Sequence, residues 1–227
     1  MTSPNPNAAQ PAHAHAYILL DRTGSMGPIW TEALSSVNAY VEALTQPSDG
    51  AKPSADDKVT LAVFDHQDGL QFDVLRRSVT SANWNKVTND EASPRGMTPL
   101  FDSIARIVSL AEGDAPQRAV IVIMTDGQEN SSREVTKDGA KAALDRARAR
   151  GWEVVFLGAE FGKFSDAEAV GVNQVKSMAM SAGNMDISMR KLASKSRKYF
   201  EAAESMEFNA DDRKESGEDD VKRRKGS

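Results

Sequence analysis

The sequence predicts an α/β protein: a mostly parallel β-sheet with helices packed on both faces. Three observations predict it. Short, almost wholly apolar runs recur at residues 17–20 (Tyr-Ile-Leu-Leu), 119–124 (Ala-Val-Ile-Val-Ile-Met) and 152–157 (Trp-Glu-Val-Val-Phe-Leu). Strands buried on both faces read this way, because neither side meets water. The stretches between the runs carry apolar residues at helical spacing, and strand alternating with helix implies parallel pairing. Finally, 227 residues of which 40% are hydrophobic suffice for one core of this kind.

Element by element, residues 1–14 are rich in Pro, Asn and Ala without periodicity and read as a disordered tail. The first strand follows and ends at Asp21. Ile29, Trp30, Ala33, Leu34, Val37, Tyr40, Val41 and Leu44 then fall on one helical stripe. Residues 47–57 form a Pro/Ser/Asp/Gly loop. Residues 59–64 and 70–75 read as a hairpin with Asp68-Gly69 in its turn. A helix over 99–111 begins at Pro99, where a missing N–H costs nothing. Beyond the 119–124 strand come an Ala/Lys/Arg-rich helix over 137–150 with Gly151 at its end, the 152–157 strand, and a short helix over 165–170 capped by Ser165. An edge strand over 173–176 and a last helix over 184–207 complete the domain, 15–207. Residues 208–227 are strongly charged with Val221 as their lone branched aliphatic side chain, and read as a disordered tail.

Composition excludes several classes of function. With 28 Lys+Arg against 33 Asp+Glu the net charge is −5, which does not favour nucleic acid. The absence of cysteine excludes a disulfide scaffold, a thiol nucleophile and a cysteine zinc site. No apolar run is long enough to span a bilayer, and residues 1–16 lack the basic and apolar regions of a secretory signal, so no membrane association is expected and the cytoplasm is the default location.

Three loops carry chemistry. Asp21-Arg-Thr23-Gly-Ser25 follows the first strand, Gly96-Met-Thr98-Pro opens a helix, and Thr125-Asp126-Gly127 follows the 119–124 strand. In a parallel sheet, sites form beyond the carboxyl ends of the strands where strand order reverses. If the first strand and the 119–124 strand are neighbours there, Asp21 and Asp126 face each other, with Thr23, Ser25 and Thr98 aimed at the same point. Carboxylates and hydroxyls without Cys or His make an all-oxygen site. Such a site suits a hard divalent cation, Mg²⁺ first, with Mn²⁺ or Ca²⁺ as alternatives. Taken singly, each loop also reads as an ordinary cap or turn.

The pattern Asp21-x-Thr23-x-Ser25, Thr98, Asp126 resembles the metal-ion-dependent adhesion site of von Willebrand factor A domains, with Thr23 where serine is usual. Residues 15–207 match by element order as well, and the stretches around 95–102 and 152–159 resemble a bacterial or phage intracellular branch. The resemblance implies a three-layer, Rossmann-like fold whose six-stranded, mostly parallel sheet has one antiparallel edge strand. It implies Thr23, Ser25 and Thr98 as direct or near-direct metal ligands, and Asp21 and Asp126 as ligands directly or through water. It further implies a non-enzymatic module that captures an Asp or Glu of a protein partner on the cation. Arg22, Met26, Trp30 and Glu129 are expected at the rim.

The alternatives are a magnesium-dependent phosphatase of the haloacid-dehalogenase type and an assembly component of a phage particle or stress-response complex. The phosphatase needs a second Asp where Thr23 stands and an acidic pair after the 152–157 strand, which ends Leu157-Gly158-Ala159. Among other candidates, His13 and His15 fall in or beside the tail, and His66 reads as solvated. Asp102 and Ser103 are possible supports of the site or simply a solvated first turn. Met178, Met180, Met185 and Met189 read as core. The basic face of the last helix (Arg190, Lys191, Lys195, Arg197, Lys198) and the acidic block 215–220 read as solvated, with docking of one on the other as the alternative.

Overall fold

A computed structural model describes residues 14–46, 56–159 and 165–225. Six strands form one sheet: β1 (Ala14–Asp21), β2 (Lys58–His66), β3 (Leu70–Thr80), β4 (Arg118–Thr125), β5 (Glu153–Ala159) and β6 (Ser177–Met180). Their spatial order is β3-β2-β1-β4-β5-β6. Only the β2–β3 hairpin is antiparallel; every other pair is parallel. Seven helices accompany the sheet among the described residues: α1 (Trp30–Leu44), α2 (Leu100–Asp114), α3 (Lys137–Ala149), α4 (Ser165–Ala169), α5 (Met185–Ala202), α6 (Ala210–Glu215) and α7 (Glu218–Lys225). This is the expected six-stranded α/β architecture.

The period-2 alternation of the strands divides the core in two. Ile18 and Leu20 of β1, Val120 and Val122 of β4, and Val155 and Leu157 of β5 face α1 and α5. Tyr17, Leu19, Ile121, Ile123, Val154 and Phe156 face α2 and α3. All twelve side chains are almost fully buried. Sandwiching the sheet between two helical layers is why these strands read as continuous apolar runs.

In the secondary-structure elements and the chain ends, four differences between sequence expectation and structure stand out. The edge strand begins at Ser177; residues 174–176 form a 3-10 turn that Asn173 caps by accepting from the Val175 N–H. Helix α5 stops at Ala202, because Ala203 turns left-handed at φ 57°. His15 is not tail: β1 starts at Ala14, and His15 is buried between Thr60 and Tyr17. The charged segment 208–225 is not a disordered tail either, since it folds into α6 and α7. Asn209 and Asp212 form a reciprocal capping box at the start of α6, and Val221 is fully buried. Its acidic residues dock on the basic face of α5: Lys195 bonds Asp212 at 2.8 Å and Lys191 bonds Glu215 at 2.7 Å. Composition signals disorder only when no outside surface is available, and α5 supplies one. Most of the expected 1–14 tail and of the 47–57 loop lies outside the described residues.

Candidate functional site

Strand order reverses at β1, which lies between β2 and β4. The register sets Leu20 beside Met124, so both strands finish level at the carboxyl edge. Asp21 ends β1 and is fully buried. Its Oδ1 accepts the Thr23 N–H at 2.7 Å, and its Oδ2 accepts the Thr125 hydroxyl at 2.5 Å. The first bond folds the loop back in a tight Asx turn, which returns the Thr23 and Ser25 hydroxyls to within 3.2 Å of each other. Ser25 Oγ donates across the crevice to Asp126 Oδ1 at 2.7 Å. Thr98 completes the ring. A Cβ added at Gly127 would lie 3.2 Å from Thr98 Oγ1, 3.6 Å from Ser25 Oγ and 3.9 Å from Asp21 Oδ2. Three loops thus bring Asp21, Thr23, Ser25, Thr98 and Asp126 around one point, and the bare Gly127 backbone leaves that point open.

The loop after β4 is pinned to the start of α2. Thr98 N–H donates to Asn130 Oδ1, and Asn130 N–H returns to the Thr98 carbonyl. Glu129 accepts the N–H groups of Phe101, Ser131 and Ser132. Asp102, 2% exposed, accepts those of Arg133, Glu134 and Val135. Charge-assisted bonds of this kind are strong and directional, so the Thr98-to-Asp126 spacing is set by the backbone, not by a floppy loop. Asp102 is therefore a positioning residue and not part of a solvated turn, while Ser103 spends its hydroxyl on the Pro99 carbonyl within α2.

On the other flank, Arg22 reaches Asp65 and Asp73, and Arg95 adds a second contact to Asp65. His66, expected in solvent, is buried, and its backbone pairs with Met97 in both directions. The expected rim residues are mostly elsewhere. Arg22, Met26 and Trp30 are buried, and Trp30 bonds the Ala92 carbonyl; Glu129 is committed to backbone. Sequence reading missed the role of Thr125 in tying β4 to Asp21. Its signal was present in Thr125-Asp126-Gly127, where the hydroxyl directly precedes the carboxylate.

Burial pushes the Asp21 carboxyl up to about 7, against the bonds from Thr125 and Thr23, and Asp126 pushes the same way. Burial makes a carboxylate's charge costly, and a divalent ion beside it would reverse the shift. No cage of three or more His, Cys, Asp or Glu side chains exists among the described residues. The donor set here is two carboxylates and three hydroxyls, all oxygen, which fits a hard cation such as Mg²⁺ or Mn²⁺.

Comparison with known proteins agrees with this architecture. The sequence model of the von Willebrand factor type A domain matches residues 16–211, and the chain belongs to that family. Comparison with curated proteins gives no match. Among solved structures, the manganese-loaded TRAP protein of Plasmodium vivax is similar at 16% identity and TM-score 0.54, covering 78% of this chain and 71% of that one. The pilus adhesin SpaC of Lactobacillus rhamnosus GG, in its open conformation, is similar at 11% identity and TM-score 0.66, covering 83% and 30%. The vWF domain of the type V pili tip protein Mfa5 of Porphyromonas gingivalis is similar at 11% identity and TM-score 0.58, covering 82% and 95%. The chain thus spans under a third of SpaC, and at these identities the likeness is one of fold. No helix among the described residues is long and apolar enough to cross a membrane.

Proposed function

We propose that the chain is a non-enzymatic, metal-dependent protein-binding module. Asp21, Thr23, Ser25, Thr98 and Asp126 would hold the divalent cation, Mg²⁺ by preference and Mn²⁺ or Ca²⁺ in its place. When bound, the cation supplies a Lewis-acidic coordination position for a carboxylate of an Asp or Glu on a protein partner. The observation that carries this reading is the convergence of five oxygen-bearing side chains from three loops on one open point at the switch in strand order. A shared fold with a manganese-loaded protein supports a divalent ion.

The residues of this chain have separable tasks. Asp21 brings charge but is anchored by Thr23 N–H and Thr125 Oγ1, so it is held back from the surface. Ser25 and Thr98 present neutral hydroxyls. A cation held largely by neutral donors keeps a net positive pull, and that pull is what an anionic partner answers. A phosphatase reading is disfavoured: Thr23 stands where a second catalytic Asp is needed, and its N–H is spent on Asp21.

Calorimetric titration of Mg²⁺ and Mn²⁺ tests the reading. The native chain is expected to bind one ion. Thr98→Ala should weaken it about tenfold or more, and Asp21→Ala should abolish it, with the fold intact by circular dichroism. Capture of an acidic partner that persists in excess chelator would sink the reading.

A further inference from the structure

Large hydrophobic side chains are strongly exposed at only three described positions: Met97 (47%), Val175 (38%) and Ile187 (47%). Val175 lies in the turn before β6 and Ile187 on α5. Met97 alone adjoins a residue of the metal site, since its Cα is about 3.8 Å from that of Thr98 across one peptide.

Its exposure is enforced by the backbone around it. Met97 N–H donates to the His66 carbonyl at 3.2 Å, and the His66 N–H returns to the Met97 carbonyl at 3.0 Å. One residue earlier, Gly96 sits at φ 68°, where a Cβ would come within 2.4 Å of the His66 carbonyl oxygen. The Gly96 carbonyl accepts from Gly24 in the Asp21 loop, and Arg95 N–H donates to the Arg22 carbonyl. The strip 95–97 is therefore stitched to the end of β2 on one side and to the metal loop on the other. Thr98 is 3% exposed while its neighbour Met97 is half in water. A clamped backbone carrying a long, flexible, polarisable side chain is an apolar anchor whose main-chain ordering cost is met before binding.

Resting on the metal-site reading above, we propose that Met97 is a specificity contact. The partner segment carries an apolar side chain within about two residues of the carboxylate that reaches the cation. An extended strand advances about 3.3 Å per residue, so such a neighbour comes within reach of a long side chain borne on the residue next to Thr98.

The probe is a synthetic peptide library with one fixed Asp or Glu and randomised flanks, screened on the full chain with Mg²⁺ and with chelator. The native chain should select Leu, Ile, Phe or Met beside the carboxylate. Met97→Ser should weaken the best peptide about tenfold at undiminished magnesium affinity, and Met97→Lys should shift the flanks towards acidic residues. Unchanged flank preference in Met97→Lys overturns the proposal. So does a parallel loss of peptide and magnesium affinity in Met97→Ser, which would assign Met97 to shaping the metal loop. If no peptide binding by the native chain depends on Mg²⁺, the metal-site reading itself fails, and the specificity contact falls with it.

Discussion

His15 lies at the opposite end of β1 from Asp21 and shows how much one side chain's surroundings decide. Its Nε2 accepts from Thr60 Oγ1, which itself accepts the Ser78 N–H. Its Nδ1 meets Tyr17 Oη, whose hydroxyl is donated to Asp114, and Arg77 pairs with Asp114. Burial lowers the His15 pKa from 6.5 to about 4, outweighing the pull of Asp114, while Arg77 and Lys58 lower it further. The folded chain holds a neutral imidazole; the unfolded chain takes a proton below pH 6.5. The unfolded state therefore binds more protons in that window, and stability falls as pH drops from 6.5 towards 4 and levels off below. Urea unfolding should show a loss from this group of about 2–3 kcal/mol between roughly pH 7 and 4.5. His15→Gln should flatten that slope. An unchanged slope would place the proton sensitivity elsewhere.

The helices α6 and α7 are too short and too polar to stand alone, so their order comes from what they touch. Asp212 is the pivot: it caps α6 through Asn209, bonds Lys195 and lies 3.8 Å from Lys191. The Ser181 N–H donates to the Ser216 carbonyl beyond the end of β6. Gly217, at φ 73°, brings the chain so close that a Cβ would strike Ser181 Oγ at 2.1 Å. Asp212→Lys reverses the charge and deletes the cap together. Hydrogen exchange should then show residues 209–225 losing protection while the sheet keeps its own. High salt should loosen the same segment in the native chain, because the Lys191–Glu215 pair is partly exposed. Gly217→Ala should release the arm without any change of charge.

For the whole molecule, the candidate site joins the carboxyl ends of β1 and β4 to the head of α2, so the proposed ion binding would be linked to folding. An ion at a hundred times its Kd should add about 2.7 kcal/mol. For a domain of this size that raises Tm by roughly 5–10 °C in differential scanning calorimetry. Asp21→Asn should behave oppositely in two conditions. Without metal it relieves a buried carboxylate that burial and Asp126 both disfavour, so Tm rises near neutral pH. With metal it forfeits the ion-induced shift. A variant that still shows the full shift would remove Asp21 from the ligand set.

The strands, the principal helices and the five oxygen-bearing side chains that gather at the strand ends were legible because each leaves a local mark. A strand buried on both faces is continuously apolar, and hydroxyl or carboxylate residues punctuate its end. What the sequence by itself determined is thus the α/β class, the alternation that fills two core layers, and which side chains carry oxygen at the strand ends. The tertiary structure alone decided that β1 and β4 are neighbours, that Thr125 ties Asp21 to β4, that Asp102 and Glu129 fix the facing loop, and that Arg22, Met26 and Trp30 turn inward. It alone decided that a charged terminus folds. The physical reason is common to them: each depends on a group tens of residues away, and no local pattern records which distant strand, backbone group or opposite charge the fold will bring up.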